Sequence, residues 1–216
     1  MKASPMNASN QVIALPHAAP FAIRGERAAD FAAREALLDA CFGANRHMRT
    51  CHRLRDGCAP AAGFAFSAVR KGKLVGTVRL WHVSAGGTRA LVLGPLAVDP
   101  SCRALGIGAA LTRHALDAAK ARGHEAVILL GDAPYYARFG FTAAKAASLS
   151  LPGPFERERL LGLELKRGAL DGARGLIVPT GAAIARRTAT PRPLASHVSR
   201  ARCHKRVYAR LRRAMA

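Results

Sequence analysis

The 216-residue sequence predicts an α/β (α+β) protein, a mixed and mostly antiparallel sheet flanked by helices. Three observations carry that reading. Apolar segments between residues 63 and 98 are separated by two short turns, at Lys71-Gly72-Lys73 and at residues 84–88, which is the signature of an antiparallel meander. Residues 106–122 then repeat apolar positions at helical spacing, and the unbroken apolar run Ala126-Val127-Ile128-Leu129-Leu130 behind them reads as a strand covered on both faces. Strand, helix and strand in that order make a β-α-β crossover with its two strands parallel. Half of the residues are apolar but only 6% are aromatic, so the core is built of Ala, Leu and Val, and the length suits one domain with tails.

Taken in order, residues 1–20 read as a disordered lead-in. Phe21-Ala22-Ile23 is a first short strand. Residues 26–42 form a helix with Phe31, Leu37, Leu38 and Cys41 toward one face and Asp30 near its start. Residues 47–63 are rich in Arg and His and return no regular structure. The meander strands follow at 63–69, 74–83 and 89–98. Inside the third, Gly94-Pro95 interrupts the pattern: proline donates nothing to a ladder, so a bulge or a gap in pairing is expected there. In the helix over 106–122, Ile107, Leu111, Ala115 and Ala118 face the sheet, Lys120 and Arg122 suit the negative end of the dipole, and Gly123 stops it. Asp132 or Ala133 then caps a short helix with Pro134 in its first turn and Gly140 at its end. Residues 160–166 and 175–178 supply the last strands, after a loop over 152–159. The domain runs over 21–181; residues 182–216 form a basic, disordered tail, in which Val207, Leu211 and Met215 mark one face of a short helix.

Charge is placed unevenly. Residues 1–181 hold 24 Lys and Arg against all 13 acidic residues, whereas 182–216 hold 10 with no acid. A basic body suits a polyphosphate ligand. The acid-free tail suits a polyanion such as nucleic acid, or serves no dedicated role. The five cysteines, Cys41, Cys51, Cys58, Cys102 and Cys203, include no C-x-x-C pair and read as free thiols, with no metal site. No apolar run is long enough to span a bilayer, and Asn, Gln, Pro and His interrupt the N-terminus where a signal peptide needs an apolar stretch, so a cytoplasmic protein without membrane contact is expected.

The chemistry concentrates between the third meander strand and the long helix, in Leu96-Ala97-Val98-Asp99-Pro100-Ser101-Cys102-Arg103-Ala104-Leu105-Gly106-Ile107-Gly108-Ala109. A helix entered on glycines leaves N–H groups without intrahelical partners, pointing where the dipole is positive, and binds phosphate. A dinucleotide fingerprint needs a third glycine where Leu111 stands, and a P-loop needs Gly-Lys-Ser/Thr; neither is present. Arg103, Gly106 and Gly108 instead resemble the cofactor segment of the GCN5-related N-acetyltransferases (GNAT), in which a strand is followed by Arg or Gln, two residues, Gly, one residue, and Gly or Ala. Tyr136-Ala137-Arg138-Phe139-Gly140-Phe141 resembles the Y-x-x-x-G-F segment of the same family.

The resemblance spans about residues 21–180 and implies a sheet with a splayed central strand pair. The pantetheine arm of acetyl-CoA would lie in the opening and pair with backbone groups of Leu96, Ala97 and Val98. The diphosphate would meet the amides of Arg103, Ala104, Leu105, Gly106, Ile107, Gly108 and Ala109, with the Arg103 guanidinium beside them. Tyr136 is then the general acid that protonates the leaving thiolate, or an aromatic packed over the sulfur; Tyr135 lies one place off the motif. The loop over 47–63 is either a wall of the acceptor site, as in the family, or an exposed connector. The strand 91–98 offers no acidic residue as a base, which leaves His82 and Asp132 as candidates or a water chain. His114 and His124 read as surface residues. The implied function is an acetyl-CoA-dependent N-acetyltransferase moving an acetyl group to a primary amine, on a small molecule or a protein, by direct transfer in a ternary complex, as a monomer or homodimer. The alternative is a catalytically weak coenzyme A-binding protein whose tail holds nucleic acid or the ribosome.

Overall fold

Alternation of apolar and polar residues produces the meander where it was expected. In the computed structural model, which describes residues 20–184, strands β2 (Ala65–Arg70), β3 (Lys73–Ala85) and β4 (Thr88–Val98) pair antiparallel in succession. The expected lead-in, the basic tail from residue 185 onward, the helix face at Val207, Leu211 and Met215, and Cys203 lie outside the described residues. Lys71 and Gly72 both take positive φ, the mirror-image turn whose twist suits a two-residue hairpin. Strand β1 (Ala22–Gly25) adds antiparallel to β2, and β5 (Ala126–Leu130) runs parallel to β4 after the crossover helix. Two short strands complete the edges: β6 (Leu149–Ser150) and, antiparallel to β5, β7 (Leu160–Glu164). Strand β8 (Gly175–Pro179) pairs with the far end of β3 and with β6, so the main order is β1-β2-β3-β4-β5-β7.

Helix α1 (Phe31–Phe42) and helix α2 (Ile107–Ala121) pack on opposite faces of this sheet. On one face Ile107, Leu111 and Ala115 of α2 meet Val78, Leu80 and Leu91, all fully buried or nearly so; Ala118 lies at the rim, with Ala119 buried in its place. The close approach is made at Gly76, where a Cβ would stand 2.8 Å from Ile107 Cγ2. On the other face Leu37 and Leu38 of α1 cover Ala97, while Trp81, Val83, Val92 and Ile128 pack with Leu54, Leu149 and Leu160. Among the described residues no helix is long and apolar enough to cross a membrane.

The first helix departs from expectation on two counts. A 3₁₀ turn over Ala28–Asp30 precedes it, and Phe31 is 61% exposed rather than facing the sheet. Arg34 takes the buried stripe instead: its guanidinium pairs with Glu26 and Glu35, and lies over the outward Phe31 ring. Glu26 also holds Arg79 of β3, so an ion-pair chain, not an aromatic contact, seats this end of the helix. Asp30 likewise does more than mark a helix start. Its buried carboxylate accepts from Arg24 at 2.6 and 2.8 Å, from the Arg27 N–H at 2.8 Å and from the Ser67 hydroxyl at 3.2 Å, tying β1, α1 and β2 together.

The Gly94-Pro95 interruption is a bulge, as its residues require. Register pairs Val78 with Leu96 but Leu80 with Leu93, so Arg79 alone faces both Gly94 and Pro95. The extra residue leaves a carbonyl out of the ladder, and the Trp81 indole N–H fills it, donating to Gly94 C=O at 2.6 Å.

Two outcomes follow from these ties. The bonds from Arg24 hold the Asp30 carboxyl well below the usual carboxylate range, so its contribution is present above the unfolded value near pH 4 and is lost as pH falls further. Asp30→Asn lowers stability by about 2 kcal/mol at neutral pH, partly screened because Arg24 is half-exposed, and flattens the acid limb of stability in urea titrations. Trp81→Phe strands the Gly94 carbonyl and costs about 1–3 kcal/mol in the same assay.

Candidate active site

Beyond the bulge, β4 and β5 part. They pair only at Leu91 with Val127 and Val92 with Ile128, although β4 continues to Val98 and β5 to Leu130. The backbone groups along this gap are not all equivalent. Asp99 N–H bonds back to Val75 C=O at 2.9 Å, and strict alternation turns the N–H and C=O of Ala97 toward Thr77 of β3. Leu96 and Val98 are therefore the residues whose backbone faces the gap. Ala97, expected to share that role, has its side chain buried under α1 and its backbone in the β3 ladder. The Val98 carbonyl accepts a thiol donor, Cys41 Sγ, at 3.3 Å.

After Val98 the chain makes a 3₁₀ turn over Pro100–Leu105, started by Asp99, whose carboxylate accepts from Ser101 N–H at 2.9 Å. Such a turn bonds i to i+3, so amides in its second half point back along it. Gly106, with φ 72° and ψ 10°, reverses the chain into α2, a left-handed conformation that glycine adopts without strain. The first bond closing the helix is Ala110 N–H to Gly106 C=O at 3.0 Å, which leaves Ile107, Gly108 and Ala109 N–H as its free donors. The Ile107 side chain is fully buried, so only its amide faces outward. Arg103 and Ala104 are exposed and Leu105 packs at the edge of the core. Among the described residues, chain neighbours aside, no atom lies within 4 Å of a Cβ built on Gly106, so the described structure leaves the space over the turn open.

Back along β4 toward the bulge, a cavity of about 880 Å³ opens on the α1 face of the sheet. Its wall includes Trp81, residues 92–96, Leu130, Gly131 and Tyr136, together with the Arg- and His-rich segment. That segment is not a plain connector: it folds into 3₁₀ turns over Ala44–Met48 and Thr50–Leu54. Leu54 is fully buried, and Thr50 and Arg53 donate to the carbonyls of Pro154 and Pro152 at 2.5 and 2.6 Å, which fixes the second turn against the loop before β7. Arg55, Cys51 and His52 join the cavity wall by this route. The sequence singled out none of them as a site residue, Cys51 being read only as a free thiol, since only the general character of the loop pointed here.

Helix α3 (Ala133–Ala137) sets the two tyrosines apart. Asp132 is its N-cap, accepting from Tyr135 N–H at 3.1 Å. Tyr136 turns into the cavity and packs on Phe139 and Phe141, while the Tyr135 hydroxyl lies 2.9 Å from where a Cβ on Gly108 would stand. Burial pushes the Tyr136 hydroxyl well above the ordinary phenol value, and Tyr135 and Asp132 add to the shift. It stays protonated at neutral pH. Of the two candidate bases, Asp132 reaches the cavity wall but serves as the cap. His82 faces the α2 side, its ring 5.4 Å from that of His124, and does not line the cavity. His124 itself is half-buried between His82 and Phe64 rather than at the surface, whereas His114 is exposed with its ring edge-on to Phe66.

The chain matches the acetyltransferase (GNAT) family over residues 31–141. It is 31% identical over 157 residues to the uncharacterized N-acetyltransferase YhbS of Escherichia coli strain K12, an alignment covering 72% of this chain and 93% of that protein. The fold is similar to the crystal structure of Escherichia coli YhbS in complex with CoA, with a TM-score of 0.63 and 30% identity over 75% of this chain and 91% of the other. A GNAT acetyltransferase of Brucella melitensis in complex with acetyl-CoA aligns over 68% of this chain and 89% of its own at 26% identity and a TM-score of 0.49. With the parted strands, the glycine-entered helix and the buried tyrosine in place, these matches make the chain a member of the GNAT acetyltransferase family.

Proposed function

We propose that the protein transfers the acetyl group of acetyl-CoA directly to a primary amine in a ternary complex. The observation that carries this is an order along β4: free helix N–H groups at residues 107–109, the β4–β5 gap at Leu96 and Val98, and the cavity under Tyr136 follow one another. The crystal structure of YhbS holding CoA in the same fold supports it.

In this reading the diphosphate rests on the amides of Ile107, Gly108 and Ala109, with Arg103 adding a mobile charge-assisted contact from its exposed position. The residues of the preceding turn, Arg103, Ala104 and Leu105, with Gly106, shape the mouth. Leu96 and Val98 present backbone groups to the amides of the pantetheine arm, and a strand N–H at Val98 polarises the thioester carbonyl. The amine nitrogen attacks that carbonyl, the C–S bond breaks, and Tyr136 gives its proton to the departing thiolate. The ammonium proton needs an acceptor on the polar side of the cavity. His52 suits it: burial lowers its pKa, Arg55 and His47 act in the same direction, and the imidazole is held neutral.

Tyr136→Phe should lower kcat by about 10- to 100-fold toward a panel of amines, read as thiol release from acetyl-CoA, with CoA affinity by calorimetry unchanged. Activity within twofold of wild type would reduce Tyr136 to a packing residue. The pH profile of kcat is a separate check. His52 protonates only below its usual value near 6.5 and Tyr136 ionises only above 10, so kcat is flat from about pH 6.5 to about pH 10. A descending limb beginning below pH 9 would exclude Tyr136 as the acid.

A further inference from the structure

Among the described residues five arginines line the cavity, and four of them are occupied. Arg46 pairs with Glu35 and Asp39, and Arg79 with Glu26. Arg159 lies 3.5 Å from Glu156 and from the Gly131 carbonyl. Arg49 donates to Phe42 C=O at 3.3 Å and stacks on the Phe42 ring. Arg55 has no hydrogen-bond or ion-pair partner among the described residues, and its buried Nε is unsatisfied. Its guanidinium stands over the bulge, with one terminal nitrogen 3.9 Å from the position of a Cβ on Gly94. The acids of the wall do not pair with it: Glu35 is shared by Arg34 and Arg46, Glu156 faces Arg159, Asp132 caps α3, and Asp56, the next residue in the chain, is exposed and makes no ion pair with it.

A cation held mostly out of solvent with no counter-charge is costly, and desolvation works against its charged form, with Arg46 and Arg79 adding to that and Cys51 opposing it. The segment fixes the backbone at Arg55, because Leu54 before it is anchored in the core and Thr50 and Arg53 are bonded across to residues 152–154. A charge held this way in the cavity answers a charge on the ligand.

We infer that the acceptor amine carries a carboxylate and that Arg55 binds it, so the substrates are amino carboxylates such as free amino acids. This rests on the N-acetyltransferase reading above. A carboxylate rather than a phosphate fits, since one planar guanidinium matches a single planar anion through two parallel bonds and, of the neighbouring arginines, Arg46, Arg79 and Arg159 already face carboxylates. Anchored over the bulge, the carboxylate would fix the amine of the same molecule close to the place where β4 and β5 part. Arg55 is thus a specificity-determining residue.

The test uses the full chain with matched acceptors: amino acids, their carboxamides, and aminoalkyl phosphates, each scored by kcat/KM with acetyl-CoA. Wild type should favour the carboxylate over its carboxamide by at least about 30-fold. Arg55→Met should bring that ratio to about one, chiefly through KM, and Arg55→Lys should leave an intermediate preference because it keeps the charge and loses the fork. Thermal unfolding of the ligand-free Arg55→Met variant should occur no lower than that of wild type, as expected when an unpartnered charge is removed. Equal use of carboxylates and carboxamides, preference for the phosphates, or an unchanged ratio in both variants would overturn the inference while leaving acetyl transfer standing. If CoA binds but no amine of any class is acetylated, the transferase reading falls and this inference falls with it.

Discussion

Trp81 holds the Gly94 carbonyl at 2.6 Å, and the geometry of the site descends from that bond. A strand with one residue too many must buckle, and its extra carbonyl needs a donor or the buckle is expensive to keep buried. With the indole supplying that donor, β4 bends where Pro95 offers no N–H, and it separates from β5 two residues after their pairing begins. Everything downstream inherits the separation: the gap beside Leu96 and Val98, the direction in which the chain arrives at Gly106, and the cavity that Tyr136 looks into. The ladder to β3 resumes at Val78 and Leu96, so the sheet survives on one side of β4 while it opens on the other.

The electrostatics of the molecule divide along the same line. On the α1 side, an ion-pair chain from Arg79 through Glu26, Arg34, Glu35 and Arg46 to Asp39 couples a sheet residue to two faces of a helix and to the turn after it. Apart from the exposed Asp39, its charges are partly or fully buried, and they alternate in sign, which makes them a scaffold more than a ligand surface. Arg55 stands beside this chain without belonging to it. The free amides at the start of α2, by contrast, sit at the open end of the β4–β5 gap, where Gly106 leaves space above the backbone. Helix geometry thus leaves amides free past one end of β4, and at its bulge one guanidinium is without a partner among the described residues.

How much of this the sequence disclosed depended on the range of the forces involved. The meander, the crossover and the short helix of the tyrosines were legible because each rests on local periodicity and on turn or cap residues within a few positions: Lys71-Gly72, Gly106, Asp132, Gly123. The bulge was legible because proline lacks a donor whatever surrounds it. Phe31 misled, because helical spacing alone cannot tell that Arg34, three residues on, has two carboxylates waiting for it. His82 misled for a related reason: its place at the end of a strand was visible, but not the face it turns to, which puts it beside His124 and away from the cavity. The residues of the 3₁₀ turns, with no period to betray them, acquired their places only through contacts about a hundred residues away in the chain, Thr50 to Pro154 and Arg53 to Pro152.

By itself, then, the order of residues determined the kind of sheet, the glycine entry to α2, the break in β4 and the tyrosine in its motif, since backbone conformation and donor count are properties of a few adjacent residues. Only the tertiary structure decided which backbone edges of β4 face the gap, which tyrosine enters the cavity and which arginine is left without a partner. Those are outcomes of register, burial and competition among distant charges, and no short stretch of the chain contains them.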